Sequence, residues 1–147
     1  MSVSANNPLA RVHGRISALV PEAVIGLLMR IGIATPFFLS GRTKVDDLLT
    51  LKDSTFYLFA EEYRVPLLPP DLAAYVATYA EHGLPILIVL GLLTRPAAFG
   101  LLAMTAVIQL FVVPAGWPTH LLWLAPLVYL IGRGPGALSA DRLLRLD

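Results

Sequence analysis

The chain has 147 residues, of which 56% are hydrophobic and only 14% charged, with a net charge of +1 and no cysteine. A mean hydropathy of +0.72 is too high for a soluble domain of this size, which needs more polar surface to cover its core. The charge gives no footprint for nucleic acid, and the missing cysteines exclude disulfides, thiolate metal sites and dithiol redox chemistry. What remains is a chain whose main solvent is lipid.

Residues 1–18 read as a polar tail carrying Arg11, His13 and Arg15. The apolar run that follows contains Glu22 and Arg30 and lacks a small-x-small cleavage site, so it reads as a retained span, Leu19–Ser40, over a cleaved signal. Gly41–Pro70, the longest connection, is rich in charge, with Arg42, Lys44, Asp46, Asp47, Lys52, Asp53, Glu61, Glu62 and Arg64. Within it Phe56, Phe59, Ala60 and Tyr63 recur at helical spacing, which predicts a short amphipathic helix within residues 53–64. That helix either lies on or dips into the membrane, or packs on the bundle as an ordinary loop helix. Asp71–Leu93 forms the second span, with Asp71 placed to cap it after Pro69 and Pro70. Thr94, Arg95 and Pro96 read as a tight turn before the third span, Pro96–Val113. Trp117–Gly132 is a short fourth span, with Trp117 and Trp123 as aromatic anchors near one interface. The glycine-rich run Gly132–Gly136 reads as a helix stop, followed by a surface-lying tail. The fold predicted is an all-α integral membrane protein: a four-transmembrane-helix bundle over residues 19–132, an extra amphipathic helix between spans 1 and 2, and a C-terminal tail over 133–147.

Arg11, Arg15, Arg95, Arg133, Arg142 and Arg145 fall at one end of such a bundle, while the turn from Pro114 to Pro118 has no basic residue. The positive-inside rule makes that end, with both termini, cytoplasmic.

Ionisable groups within spans are costly and mark function or pairing. Arg30 is ten residues before Ser40 and Glu81 ten residues after Asp71. Each therefore lies about 15 Å below the outer boundary if the two spans begin level. An Arg30–Glu81 ion pair is expected on that count, either as a strut fixing helix register or as the centre of a binding or proton-transfer site. Thr78, Glu81, His82 and Pro85 share one stripe, and Arg30, Phe37, Gly41 and Lys44 share another if the first helix runs on. Thr105 and Gln109 are one turn apart, and Gln109 and His120 both lie toward outer helix ends. The candidate pocket is Arg30, Lys44, Glu81, His82, Gln109 and His120. Their spacing matches no metal motif, and no hydrolase, phosphate-loop or dinucleotide signature is present.

These residues resemble the DoxX family of small bacterial membrane proteins. The marks are Arg30 followed by Gly41-Arg42-Thr43-Lys44, Glu81 followed by Gly91-Leu92-Leu93-Thr94-Arg95, and a closing Gly134-Pro135-Gly136-Ala137-Leu138-Ser139-Ala140-Asp141. The resemblance implies a four-helix bundle in the bacterial cytoplasmic membrane. It further implies association with a redox or stress-response operon: some members resemble a membrane subunit of a quinone-linked oxidoreductase, and others accompany metal-stress genes. The expected role is a membrane subunit, without intrinsic cofactor, that binds a quinone or similar hydrophobe and takes electrons from a partner protein. A non-enzymatic scaffold and a small-solute transporter are the competing readings, and a homo-oligomer is compatible with each.

Overall fold

The computed structural model describes residues 20–63, 65, 66 and 68–146, with positions 8, 9, 12 and 14 before them. The expectations for Arg11, His13, Arg15 and Arg64 lie outside the described residues.

The first helix, α1, runs Glu22–Thr43 and buries Gly26, Arg30, Ile33, Ala34, Phe37 and Gly41, a single face at helical spacing. Pro36 sits inside it and the helix continues through, so the stripe from Arg30 to Lys44 is kept. A two-stranded hairpin follows, β1 (Val45–Asp46) pairing antiparallel with β2 (Thr50–Leu51) in the register Val45↔Leu51. Its tight turn is braced by Arg42, whose guanidinium donates to the carbonyls of Asp47 and Leu48, both at 2.8 Å. Two-residue strands leave no periodic signal, so the hairpin has no counterpart in the sequence reading.

The amphipathic segment is a short helix, α2 (Asp53–Tyr57), continuing as a π-helical turn, Leu58–Tyr63. Its stripe faces inward: Phe59 is buried, and Phe56 and Tyr63 are half-buried, in a cluster with Val45, Leu51, Ala73 and Ala74. Ala60, assigned to that stripe, is instead exposed, because the wider π turn rotates it off the face. The apolar face is thus packed on the protein, as in the loop-helix alternative.

The next helix, α3, is Pro70–Leu90. Pro69 occupies the N-cap position and Asp71 lies in the first turn without a capping hydrogen bond, so Asp71 acts through its charge at the helix start. The helix ends at Gly91 in the left-handed region (φ 67°), where Leu92 N–H reaches Leu87 and Gly91 N–H reaches Ile88. This makes Gly91-Leu92-Leu93 the turn, and Thr94-Arg95-Pro96 opens α4, Thr94–Val107, where a proline is tolerated because the first N–H groups have no helical partner. A π-helical turn, Ile108–Val112, and a 3-10 turn, Pro114–Gly116, lead into α5, Trp117–Arg133, and the chain closes with α6, Ala140–Leu144.

The four long helices form a ring: α1 packs on α3 and α5, and α4 packs on the same two. Ala34, Ala97 and Ala98 are buried at the centre beside Ile33, Phe37, Ile88, Leu101, Leu127 and Leu130, and such small residues let helices approach closely. The outward faces are as apolar as the inward ones. Leu28, Phe99, Leu122 and Val128 are all more than half exposed, which suits lipid and not water. Glu22–Thr43, Pro70–Leu90 and Thr94–Val112 are each long and apolar enough to cross a membrane. At 17 residues, α5 spans about 25 Å, somewhat short of a hydrocarbon core. Trp117 is exposed as expected of an interfacial anchor, but Trp123 packs inward, 5.0 Å from the rings of both Phe37 and His120.

Candidate functional site

The antiparallel contact of α1 with α3 sets the level at which charges meet. A Cβ on Gly41 would touch the His82 ring at 2.9 Å and the Glu81 Cβ at 3.0 Å. Glycine is therefore what lets these helices close, and it fixes residue 41 opposite residues 81 and 82. Counting back from Gly41 places Arg30 level with the turn after α3, around Leu92, and not with Glu81; its guanidinium reaches back to Val89. The two charges are separated by about eleven residues of helix, about 16 Å along the bundle. The expected Arg30–Glu81 pair does not form. The depth count fails because α1 and α3 do not begin level: α3 overhangs α1 by nearly three turns, and the hairpin and α2 cover the overhang.

Arg30 is 1% exposed and answers to backbone. Its guanidinium donates to the Val89 carbonyl at 2.9 Å and, in a short contact, to the Leu138 carbonyl. Beside it, buried Asp141 accepts from the N–H groups of Leu93 at 2.7 Å and Thr94 at 2.9 Å, while its own N–H donates to Gly91. Asp141 thus caps α4 from the far end of the chain, where a carboxylate also complements the helix dipole. Ser139 caps α6 by accepting from Arg142 N–H at 3.2 Å. The C-terminal segment expected as a surface tail is a clasp. It ties the closing motif to the turn after α3, with Gly134 and Gly136 at positive φ (81° and 84°) to reverse the chain.

At the other end Glu81 meets Lys44. The ammonium lies 2.6 Å from Glu81 Oε2. It also donates to Ser40 Oγ at 2.9 Å, and that hydroxyl donates to Glu81 Oε1 at 3.2 Å. Lys44 and Glu81 are 6% and 4% exposed. A buried pair of this kind needs good geometry and extra hydrogen bonds to offset desolvation, and Ser40 supplies them. Lys44 is placed by continuation of α1 past Ser40, and its carbonyl is held by the Thr55 hydroxyl at 2.7 Å and Lys52 N–H at 3.1 Å.

The pair lines a cavity of about 240 Å³ with Ser40, Tyr63, His120, Trp123 and apolar side chains of α4 and its π-helical turn. Burial, then the charges of Glu81 and Glu62, hold the Tyr63 phenol above its ordinary range, so it remains an O–H donor. His120 Nδ1 lies 2.6 Å from Gln109 Oε1, and the Gln109 amide nitrogen donates to the Pro114 carbonyl at 2.7 Å. That orientation makes Oε1 the acceptor, so Nδ1 carries a proton. His82 does not line the cavity. Its Nδ1 lies 2.7 Å from the Thr78 carbonyl, Phe38 packs edge-on against the ring, and Nε2 is buried without a partner among the described residues.

The sequence pattern of DoxX matches residues 25–115, well over half of the chain. The chain belongs to the DoxX family. No curated protein and no solved structure matches it. The matched stretch contains both ends of the Lys44–Glu81 pair, whereas α5, with His120, and the clasp lie beyond it. Of the six residues nominated from the sequence of this DoxX protein, Lys44, Glu81 and His120 share one cavity. Gln109 positions His120, His82 supports the helix contact, and Arg30 belongs to the clasp. Ser40, Tyr63, Trp123 and Asp141 were missed. Ser40 alone carried a readable signal, one helical turn before Lys44. Among the described residues no cluster of His, Asp and Glu could hold a metal ion.

Proposed function

We propose that this DoxX protein is a membrane subunit that binds a quinone or similar ring-headed hydrophobe in the cavity beside Lys44 and Glu81. The single observation that carries the reading is a buried ammonium–carboxylate pair opening onto an otherwise apolar cavity of about 240 Å³. A purely structural pair requires no such space beside it. The residues fit a quinone headgroup: Lys44 and the Tyr63 phenol are hydrogen-bond donors for its carbonyls, and Phe59, Met104, Val107 and Trp123 supply apolar and aromatic wall. A bound quinone would supply electron-accepting carbonyls; the chain supplies position and protons. Lys44 orients one carbonyl and stabilises charge developing there. Glu81, held by Ser40, takes or returns a proton through Lys44, and His120 Nε2 offers a second proton station. With no cysteine or cofactor motif of its own, the chain would receive electrons from a partner protein.

In this reading all four long helices cross the bacterial cytoplasmic membrane, with the short α5 accommodated by local thinning. Arg95, Arg133, Arg142 and Arg145 lie at the clasp end, which is then cytoplasmic with both termini, and the cavity faces the outer half of the bilayer.

The test is binding of a quinone analogue to the purified protein, followed by quenching of Trp123 fluorescence in a Trp117→Phe background. The double variant Lys44→Met/Glu81→Met removes both charges with little loss of packing volume. It should fold and bind at least about tenfold more weakly. Undiminished binding, or no binding by the parent protein, would leave the scaffold reading in its place.

A further inference from the structure

Behind His120 lies a second hollow. A groove of about 230 Å³ runs between α4 and α5 on the outer surface of the bundle, walled by Leu102, Ala106, Leu121 and Leu124, with Gln109 and His120 at its inner side. His120 also lines the cavity of the Lys44–Glu81 pair. The two spaces therefore share a wall, and one imidazole separates them.

The groove is unsuited to a polar occupant. His120 and Gln109 direct hydrogen bonds to each other and to the Pro114 carbonyl. The Thr105 hydroxyl is turned back on the Leu101 carbonyl at 2.7 Å. What faces outward is hydrocarbon, with the exposed Trp117 ring at the rim. The cavity has the opposite character, a charged pair and a phenol within apolar walls. A polar-headed cavity that adjoins an apolar trough across the His120 ring matches one shape of ligand. It has a compact hydrogen-bonding head and an aliphatic tail.

We propose that the α4–α5 groove is the tail subsite of the cavity's ligand, the tail passing His120 to lie along Ala106 and Leu124. This rests on the headgroup reading above and narrows it to lipid-tailed ligands taken sideways from the bilayer. The π-helical turn Ile108–Val112 serves the same end, since its extra residue widens the helix where the two spaces adjoin.

The experiment compares a tailless methylated benzoquinone with its decyl-tailed counterpart on the full-length protein, at fixed detergent, by Trp123 quenching in the Trp117→Phe background. Ala106→Phe fills the groove from α4 and Leu124→Phe fills it from α5. Ala106 and Leu124 are absent from the cavity wall. Each substitution should weaken the decyl compound about tenfold, the loss of roughly two buried methylenes. The tailless compound should bind as before. Equal weakening of both compounds, or of neither, overturns the tail subsite and leaves the headgroup site standing. If neither compound binds the parent protein, both readings fall.

Discussion

The two ends of the bundle bury charge in different ways. At the clasp end Arg30 and Asp141 are each held by backbone, carbonyls for the two terminal nitrogens of one and N–H groups for the other, with Arg30 Nε buried without a partner among the described residues. At the cavity end Lys44 and Glu81 satisfy one another, with Ser40 between them. Charge held by backbone fixes the chain: the hollow beside Asp141 is about 80 Å³. Charge held by a side chain beside a cavity about three times that volume has room for a ligand to take the partner's place. The clasp is a fastening, and in the proposed reading the Lys44–Glu81 pair is a site.

Stability measurements on the purified protein can break this comparison. The largest effect should come from Glu81→Met alone, which strands the Lys44 ammonium in a buried position and should cost about 3–5 kcal/mol, whereas Lys44→Met/Glu81→Met recovers most of that loss. Failure of the double variant to recover would mean the pair is a strut after all. Asp141→Ala comes next. It leaves two backbone N–H groups at the start of α4 without an acceptor and should cost about 3 kcal/mol, with no partner substitution able to rescue it. A smaller loss, about 2 kcal/mol, is expected for Gly91→Ala, since φ is 67° and a Cβ there would lie 2.5 Å from both Arg30 Nη1 and Ser139 Cβ. Ser139→Ala, which removes the cap of α6 and the hydroxyl's bond to the Gly136 carbonyl, should cost about 1 kcal/mol. Denaturation midpoints of the five variants in one detergent check the order; a clasp variant without effect would show that the C-terminal segment is not fastened.

Much of this was legible before any tertiary information. Span positions, the inward stripe of Phe56, Phe59 and Tyr63, and the buried faces containing Glu81 and Lys44 follow from periodicity. Glu81 was nominated because an ionisable group within a span is costly, Lys44 because it continues the Arg30 stripe, and His120 because it lies toward an outer helix end. Their pairing was not legible. Which charge meets Glu81 depends on how far α3 slides along α1, and no periodic pattern encodes a slide. Asp141 was quoted as part of a motif and its role was invisible, because its partners are the backbone of residues 93 and 94. Backbone carries no sequence signal.

The sequence by itself determined the solvent and the elements. Transfer of a side chain into hydrocarbon is largely a property of that residue, so summing along the chain suffices. The tertiary structure alone decided which buried charges share a cavity. That choice turns on glycine at position 41, whose missing side chain lets α1 and α3 close at one level and no other, bringing Lys44 to Glu81 and leaving Arg30 to the backbone of the clasp.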